Sequence, residues 1–309
     1  MLKSAAVQSR SNEGKALTGR ILKGVGGFYY VLDDREQTHE CKARGRFRIE
    51  GLTPLPGDFV SFSVSMDSSG FIEEILPRKN ELKRPRVANV DMVAIVVSAQ
   101  KPPIDKLLTD KLIIHAKMVC VEPLLVINKC DVASPHYTDE IRAEYRDVCP
   151  IICVSAATGE GLENLKEHLS GRCTCFSGQS ATGKSSLLNA LFSDLSLETG
   201  GLSKKIDRGK HTTRHAELMV LKGFSGTVVD TPGFSFLEAN DIQPSELCAY
   251  CDDLGAYSQQ CRFVGCLHDR EPQCSLKEAV SKGLVSEGRY QRYLTILKEL
   301  QNAKEKKYD

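Results

Sequence analysis

One stretch of the sequence has the spacing of a loop that binds phosphate groups. Residues 178–185 are Gly-Gln-Ser-Ala-Thr-Gly-Lys-Ser, which fits the pattern GxxxxGK[ST] between a predicted strand and a predicted helix. In such a loop the backbone N–H groups surround the phosphates, the lysine reaches the terminal phosphates and the last hydroxyl binds Mg²⁺. We predict that Ser185 is a magnesium ligand. The predicted nucleotide-binding residues here are Gly178, Gln179, Ser180, Ala181, Thr182, Gly183, Lys184, Ser185 and Ser186.

A second nucleotide element follows the phosphate loop. Asp230-Thr-Pro-Gly233 ends an apolar strand. A carboxylate at this point can hold Mg²⁺ through water, and the glycine N–H can contact a γ-phosphate. The four residues alone form a common turn, but their position after a phosphate loop predicts that Asp230 and Gly233 bind nucleotide.

A further motif indicates that the base is guanine. Asn128-Lys129-Cys130-Asp131 follows the apolar strand 124–127. Guanine presents N1–H and N2–H₂ on one edge, and the carboxylate of Asp131 can accept from both groups, whereas adenine has no such pair of donors. Asn128 can bond beside the base, and the Lys129 stem can lie along its face. Alone, this motif would indicate only a surface turn.

The order of the motifs differs from that of ordinary small GTPases. Ser155-Ala156 ends the strand after the Asn-Lys-Cys-Asp motif, where a backbone N–H can contact guanine O6. Both base motifs therefore precede the phosphate loop, although in ordinary small GTPases they follow it. A parallel sheet requires only that its strands have the correct neighbours in space. We therefore predict a circularly permuted GTP-binding domain.

One loop between the phosphate loop and Asp230 offers groups for hydrolysis. His211, Thr212 and Thr213 lie there, and one of the two threonines is predicted to bind Mg²⁺ and the γ-phosphate. We prefer Thr213, although the sequence leaves Thr212 open. Phe234 occupies the place of the glutamine that usually orients water, so His211 is the nearest candidate for the catalytic role. The alternative is that His211 only contacts a partner or has no specific role.

The cysteines require a separate explanation. Five of the twelve lie in the C-terminal segment, and in a reducing compartment metal binding is the first explanation for such crowding. A C-x₄-C-x-H-x₅-C pattern supplies three thiolates and an imidazole, a closed set that suits one structural Zn²⁺. Cys248 and Cys251 form a competing C-x-x-C within a predicted helix, and we expect them to be packing residues. The predicted zinc ligands are Cys261, Cys266, His268 and Cys274.

The elements that position these motifs form three predicted segments. Residues 1–82 alternate short strands with turns, which predicts a small barrel such as the OB-fold. Residues 83–242 alternate strands with helices, which predicts a mostly parallel sheet with helices on both faces. Residues 243–309 contain the cysteine cluster and a helix. The predicted fold is therefore multidomain α/β: an OB-fold barrel, a circularly permuted P-loop GTPase domain and a zinc-binding helical module.

A run of basic residues in the first segment is a candidate RNA-binding surface. Lys42, Arg44, Arg46 and Arg48 alternate with small or apolar residues, so in a strand their side chains would share one face. OB-folds commonly bind oligonucleotides on such surfaces. An ordinary solvated strand is the alternative. The net charge of +1 excludes a globally polybasic nucleic-acid binder but leaves a local patch open.

Composition and apolar patterning indicate the class of protein. The chain has 309 residues with 41% hydrophobic and 26% charged residues, which is typical of a folded protein and excludes a disordered one. The first residues lack the apolar stretch of a signal peptide, and the strongly apolar runs are too short to cross a bilayer. We expect a cytoplasmic monomer with no membrane partner.

These features together resemble the ribosome small-subunit-dependent GTPase A family, RsgA, whose members are also called YjeQ-type circularly permuted GTPases. The resemblance rests on the barrel, the motif order NKCD, SA, GQSATGKSS, KHTTR and DTPG, and the cysteine–histidine spacing, and it covers essentially the whole chain. It implies contact with ribosomal RNA, a role in late maturation of the small ribosomal subunit, and GTP hydrolysis to GDP and phosphate that is stimulated by that subunit and releases the protein. Ala181-Thr182 departs from the Gly-Val that members often have.

Two other functions remain open from the sequence. The chain could be a constitutive ribosomal-RNA-binding scaffold whose nucleotide site is only regulatory, but the intact Lys184, Ser185, Asp131 and Asp230 argue against that alternative. A P-loop ATPase or nucleotide kinase is disfavoured by the guanine motif.

Overall fold

The computed structural model describes residues 17–65, 69–83, 85–192, 216–220, 224–230 and 242–305, except for the side chains of Arg48 and Asp230. The chain divides into two compact units, one ending at Arg78 and the other beginning at Lys79. No helix within these ranges combines the length and apolar character that crossing a membrane requires.

The first unit is a closed five-stranded barrel, as predicted. Its strands are β1 (Leu17–Val25), β2 (Phe28–Asp33), β3 (Thr38–Ala43), β4 (Phe59–Val64) and β5 (Gly70–Ile75). They are hydrogen-bonded in the order β1-β2-β3-β5-β4. Alternate side chains of the strands fill the barrel, where Ile21, Val31 and Phe62 are fully buried.

The prediction that one strand presents the basic residues is wrong beyond residue 43. β3 ends at Ala43, and residues 46–49 form a single helical turn, α1 (Arg46–Ile49). The physical reason is Phe47, which is only 4% exposed and packs into the barrel core. Its N–H donates to the Arg44 carbonyl oxygen over 3.2 Å, which closes a turn in place of an extended strand. The residues Lys42, Arg44, Arg46 and Arg48 therefore do not lie along one strand.

The second unit contains a short antiparallel strand pair and a six-stranded sheet. The pair is β6 (Glu81–Lys83) and β7 (Arg86–Ala88). The strands of the sheet are β8 (Met92–Ser98), β9 (Glu122–Asn128), β10 (Ile151–Cys153), β11 (Cys173–Ser177), β12 (Glu217–Val220) and β13 (Thr227–Asp230). Their order is β10-β9-β8-β11-β13-β12. Five of them run parallel and end at the same edge, and β12 pairs antiparallel with β13.

Four helices connect and cover these strands. They are α2 (Lys106–Met118), α3 (Pro135–Tyr145), α4 (Leu162–Leu169) and α5 (Lys184–Phe192). Apolar residues of α4 and α5 pack with alternate residues of β8 and β9, such as Ala94, Val96 and Val126, in one buried cluster. Helix α2 packs against β8 and β9.

The C-terminal part of the second unit is helical and has its own apolar cluster. Its elements are a 3₁₀ helix (Pro244–Tyr250), α6 (Asp252–Ser258), α7 (Ser275–Ser281) and α8 (Glu287–Glu305). Leu247, Leu254, Leu276 and Leu297 are fully buried there, and Ile114 of α2 joins them. The apolar spacing that predicts a final helix is therefore confirmed.

A buried network of ion pairs joins α8 to the helices of the six-stranded sheet. The Arg289 guanidinium lies 2.7 Å from Asp110 of α2 and 2.9 Å from Asp253 of α6. Arg292 bonds Asp110 over 2.5 Å and Glu144 of α3 over 2.7 Å. Arg289 and Asp110 are 3% and 1% exposed. If the helical module moved away from α2 and α3, Asp110 and Glu144 would lose their arginine partners. An uncompensated buried charge is strongly destabilising, so the network favours the packed arrangement.

Candidate functional site

The phosphate loop joins the end of β11 to the start of α5, as the pattern predicts. Gly178 has a φ of +127°, and a Cβ there would lie 2.2 Å from the Val96 carbonyl oxygen. Gly183 has a φ of +89°, and its Cβ would lie 2.5 Å from Nδ2 of Asn128. Glycine alone fits these conformations and close approaches, so both glycines allow the loop to pass against the ends of β8 and β9.

The Lys184 side chain lies across the phosphate loop. Its Nζ donates to the carbonyl oxygens of Gly178 over 2.8 Å and Gln179 over 2.6 Å. Burial lowers the pKa of Lys184 below its usual value. The two hydrogen bonds hold the ammonium group within the loop, where a phosphate-binding lysine is required.

Ala181 occupies a position of the loop that favours glycine. Its φ is +62°, in the left-handed region. For an L-residue other than glycine that conformation costs about 1–2 kcal/mol. The next residue, Thr182, is buried and its hydroxyl donates to the Gln179 carbonyl oxygen over 3.0 Å. Glycine adopts this left-handed backbone conformation without that cost, which explains why the resembled family often has glycine at this position. Alanine adopts the same conformation at a small cost.

One buried amide connects three of the predicted motifs. Asn128 is 1% exposed and ends β9. Its Nδ2 donates to the Thr182 carbonyl oxygen over 3.0 Å, and its Oδ1 accepts from the N–H groups of Lys129 over 2.8 Å and Ala156 over 3.1 Å. The side chain therefore positions the phosphate loop and both base motifs relative to one another.

The remaining base-motif residues surround this amide. Lys129 has a left-handed backbone, with a φ of 67°, and its Nζ donates to the Ala181 carbonyl oxygen over 3.0 Å. Asp131 lies in the short 3₁₀ turn Cys130–Val132, and its side chain is exposed. Ser155 is fully buried, and its Oγ accepts from two successive N–H groups, those of Ala157 over 3.2 Å and Thr158 over 3.1 Å. Ser155 therefore shapes the turn that follows β10.

Other predicted residues are placed at the start of α5 or lie outside the described residues. Ser185 is half-buried and Ser186 is exposed in the first turn of α5, and Ser180 is exposed in the loop. β13 pairs with β11 and ends at Asp230, so its chain leaves the sheet at the edge where Gly178 begins the phosphate loop. The side chain of Asp230 and the residues Gly233, Phe234, His211, Thr212 and Thr213 lie outside the described residues.

The predicted cysteine–histidine set forms a cluster that could hold a metal ion. The ligand atoms of Cys261, Cys266, His268 and Cys274 all lie within 4.8 Å of one another. Sγ of Cys261 lies 3.7 Å from Sγ of Cys274, and Nδ1 of His268 lies 3.4 Å and 3.3 Å from those two sulfurs. Two sulfurs bound to a tetrahedral zinc lie about 3.8 Å apart. The cluster therefore has the dimensions of a tetrahedral site.

Neighbouring residues orient the cluster. Burial lowers the pKa of His268, which favours the neutral imidazole that a metal binds. The Ser275 hydroxyl lies 3.1 Å from the Cys261 sulfur and donates to the Tyr257 carbonyl oxygen over 2.5 Å. Tyr290 donates to the His268 carbonyl oxygen over 2.6 Å. The sequence did not predict Ser275 and Tyr290 as supporting residues. The only indication in the sequence is that Ser275 directly follows the proposed ligand Cys274.

The competing C-x-x-C pair lies in the apolar cluster of the helical module. Cys248 and Cys251 are 7% and 2% exposed and pack with its leucines and tyrosines. Burial raises the pKa of Cys248 to about 11 and also raises the pKa of Cys251. Both side chains pack as small apolar groups, as expected, and among the described residues neither belongs to the cluster that could hold a metal ion.

The basic residues of the barrel are partly engaged with other groups. Lys42 is exposed, and its Nζ lies 5.0 Å from the centre of the Phe28 ring. Arg44 forms an ion pair with Glu73 over 2.6 Å, and Arg46 donates to the carbonyl oxygen of Glu73. The side chain of Arg48 lies outside the described residues. The barrel thus carries an exposed basic region next to aromatic rings, although one arginine is already paired with a carboxylate.

Comparisons with known proteins agree with the motifs and the fold. The model of the RsgA GTPase family matches residues 75–240, and that of the RsgA N-terminal domain matches residues 18–72. The chain is 43% identical over 293 residues to the small ribosomal subunit biogenesis GTPase RsgA of Caldanaerobacter subterraneus subsp. tengcongensis, covering 94% of this chain and 98% of that protein. The protein of the same name from Geobacillus thermodenitrificans is 42% identical over 290 residues, covering 93% and 98%.

Two solved structures are similar over nearly the whole chain. The crystal structure of YjeQ from Thermotoga maritima superposes with a TM-score of 0.82 at 38% identity and covers 93% of this chain and 99% of that one. The structure of YloQ, described as a circularly permuted GTPase, superposes with a TM-score of 0.79 at 32% identity and covers 97% and 99%. The predicted permuted order of the motifs is confirmed by this likeness.

Proposed function

This chain belongs to the RsgA GTPase family, and from that premise we propose that it binds the small ribosomal subunit and acts in its late maturation. The chain is a GTP hydrolase that forms GDP and phosphate. The structural observation that supports GTP binding most directly is the Asn128 side chain, which joins the phosphate loop to both base motifs, and the ribosomal role is supported by the family relatives. A site held together in this way binds base and phosphates as one unit.

We assign the nucleotide contacts as follows. Asp131 accepts from the guanine edge, the Lys129 stem lies along the base, and the turn at Ser155 and Ala156 borders it. Asn128 holds these groups in place. The residues from Gly178 to Ser186 bind the phosphates, and Lys184 contacts the terminal ones. Asp230 would hold Mg²⁺ through water, and the Gly233 N–H would contact the γ-phosphate.

Magnesium is the cofactor that this assignment requires. Bound with GTP, it would neutralise charge on the β- and γ-phosphates. The Ser185 hydroxyl and one threonine, which we propose is Thr213, would hold it. Ser185 is suited to this role because it lies in the first turn of α5, directly after Lys184.

His211 is the proposed catalytic residue, orienting the attacking water. The proposal rests on the sequence, because Phe234 cannot orient water and His211 lies just before the threonines. If binding to the ribosomal subunit positions His211 beside the γ-phosphate, hydrolysis would be fast only on the subunit and would then release the protein.

Zinc is the proposed occupant of the cysteine–histidine cluster, with one structural ion per chain. Three thiolates and one imidazole at these separations match the tetrahedral preference of Zn²⁺ and leave no open position for chemistry. The ion would stabilise residues 243–309, which we treat as a zinc-binding domain after a barrel of residues 1–82 and a GTPase domain of residues 83–242.

Contact with ribosomal RNA is assigned to the barrel and the helical module. Lys42, Arg44, Arg46 and Arg48 are the proposed barrel residues, because a basic surface beside aromatic rings suits phosphates and unstacked bases. A protein that acts on the small subunit is expected in the cytoplasm, and we propose that it works there as a monomer.

Nucleotide turnover with and without ribosomal subunits tests the proposal. Purified protein should hydrolyse GTP slowly alone and much faster with small subunits, and large subunits should have no such effect. Lys184→Ala should abolish turnover, and Arg146→Ala, at an exposed basic residue outside the nucleotide motifs, the barrel and the helical module, should keep it. A constitutive scaffold would instead bind small subunits equally well with GTP or GDP and show no stimulation.

A further inference from the structure

Two cysteines lie between the motifs that contact the base. Cys130 is the third residue of the Asn-Lys-Cys-Asp motif, and Cys153 ends β10 just before Val154 and Ser155. The Cys130 and Cys153 thiols lie close enough to perturb each other, while the Cys130 thiol donates to the Ile127 carbonyl oxygen over 3.2 Å. The Cys130 N–H also donates to the Val154 carbonyl oxygen over 3.2 Å. The two thiols therefore meet where the two base motifs are joined.

An arginine activates one of these thiols. Nη2 of Arg142, on α3, lies 3.1 Å from the Cys153 sulfur. Interactions with Cys130 and Arg142 outweigh burial and the nearby Asp139, and they lower the pKa of Cys153 to about 6. The pKa of Cys130 is raised by its interaction with Cys153 and by partial burial. The Arg142 guanidinium beside Cys153 therefore favours the thiolate form of that residue.

The pair is also accessible, which distinguishes it from most other cysteines of the described residues. Cys130 and Cys153 are half-buried, and the Arg142 side chain is 53% exposed. Cys149, four residues before Cys153, is buried, and burial raises its pKa to about 12. Thiolate character and access together determine which cysteines react with oxidants.

We propose that Cys153 and Cys130 form a reversible, peroxide-sensitive thiol pair that weakens GTP binding when oxidised. The Cys153 thiolate attacks one oxygen of hydrogen peroxide, the O–O bond breaks, and Cys153 becomes a sulfenic acid. The hydroxide that leaves takes up a proton and becomes water. Cys130 then loses its proton and attacks the Cys153 sulfur, and the S–S bond forms as a second water leaves. The two thiols supply the two electrons, and a dithiol reductant returns them.

The effect on GTP binding rests on the guanine site assigned above. An S–S bond of about 2.05 Å is much shorter than any non-bonded contact between two sulfurs. Closing it draws the Cys130 sulfur away from the Ile127 carbonyl oxygen, which it now contacts over 3.2 Å, and moves the turn that contains Asp131. The base contact is therefore expected to weaken at least fivefold.

Peptide mapping tests the modification independently of nucleotide binding. Zinc-loaded full-length protein is treated with hydrogen peroxide and digested with trypsin under non-reducing conditions. The expected product is residues 130–142 linked to residues 147–166, with fragmentation locating the link at Cys153 and not at Cys149. If the linked peptide is absent, or if Cys149 carries the link, the modification is refuted while GTP binding stands.

Affinity measurements test the consequence. Fluorescent GTP should bind the oxidised protein at least fivefold more weakly, and dithiothreitol should restore the affinity. Cys153→Ser should bind like the reduced parent and not respond to peroxide, whereas Cys120→Ser, at an exposed cysteine elsewhere, should respond like the parent. Because both variants keep the metal cluster, they exclude zinc loss as the cause. A linked protein with unchanged affinity refutes the regulation, and a reduced parent that binds no GTP refutes the proposed function itself.

Discussion

Nδ2 of Asn128 donates a hydrogen bond to the Thr182 carbonyl oxygen over 3.0 Å, although the two residues are 54 positions apart in the chain. Asn128 ends β9, and Thr182 lies in the loop that follows β11. β8 separates the two strands in the sheet. The bond therefore spans the strand between them and connects the base side of the site to its phosphate side.

Replacing Asn128 by alanine should weaken both folding and nucleotide binding. The Thr182 carbonyl and the Ala156 N–H would be left without their buried partner, which costs about 1–3 kcal/mol for each unpaired group. Urea unfolding should show the reduced stability, and titration with GTP should show reduced affinity. Asn164→Ala, at an exposed position of α4, should change stability by no more than about 0.5 kcal/mol. An Asn128→Ala protein with parental affinity would contradict the bridging role.

Asp131→Asn should change the base preference. An amide accepts through one oxygen only, so GTP binding should lose one or two charge-assisted hydrogen bonds of roughly 1.5–3 kcal/mol each. Xanthosine triphosphate, which has a carbonyl in place of the guanine amine, should then bind the variant more tightly than it binds the parent. Competition binding with both nucleotides measures the change. Full retention of the preference for GTP would show that Asp131 does not select the base.

Cys266→Ser should remove the metal and destabilise the helical module. The parent should contain one zinc per chain by elemental analysis, and the variant should contain little, because three ligands bind zinc far more weakly than four. Thermal unfolding should also shift to lower temperature. Cys120→Ser serves as the control at an exposed cysteine and should keep its zinc. Zinc retained by Cys266→Ser but absent after removal of Cys248 and Cys251 would assign the site to that other pair.

The basic region of the barrel should affect subunit binding through charge. Replacing Arg44, Arg46 and Arg48 by alanine should weaken binding to small subunits. The slope of log affinity against log salt should decrease by about one unit for each ionic bond to a phosphate that the substitutions remove. The matched control replaces Arg86, Arg146 and Arg172, whose side chains are exposed in the other unit outside the helical module. If the slope does not change, the region is an ordinary solvated surface.

His211→Ala should impair stimulated hydrolysis and leave GTP binding near the parental value. Removing a group that orients water or transfers a proton typically costs about 10²-fold or more in rate. Lys184, Ser185 and Asp131 remain in place, so nucleotide affinity should hold. Turnover at saturating small subunits measures the effect. A rate within a few-fold of the parent would remove His211 from the mechanism and would leave water to be oriented by backbone groups or by the ribosome.

Local chemistry in the sequence was sufficient to predict the motifs and many elements. The phosphate loop was predicted to join a strand to a helix, and it joins β11 to α5, because the apolar spacing and the loop residues lie within the same short segment. Gly178 and Gly183 were predicted from their pattern, and their positive φ angles explain why the pattern requires glycine. The metal cluster was also found from spacing, since its four ligands lie within fourteen consecutive positions.

Interactions between distant segments were decided only by the tertiary structure. The alternation at residues 42–48 predicted a strand, but the barrel core takes up Phe47 and turns the chain into α1. The role of Asn128, the pairing of Arg289 with Asp110 and the meeting of Cys130 with Cys153 are likewise invisible in the sequence. Periodicity and propensity describe neighbours along the chain. Hydrogen bonds, ion pairs and thiol pairs of this kind depend on which strands and helices become neighbours in space, and only the packing of the whole unit sets that.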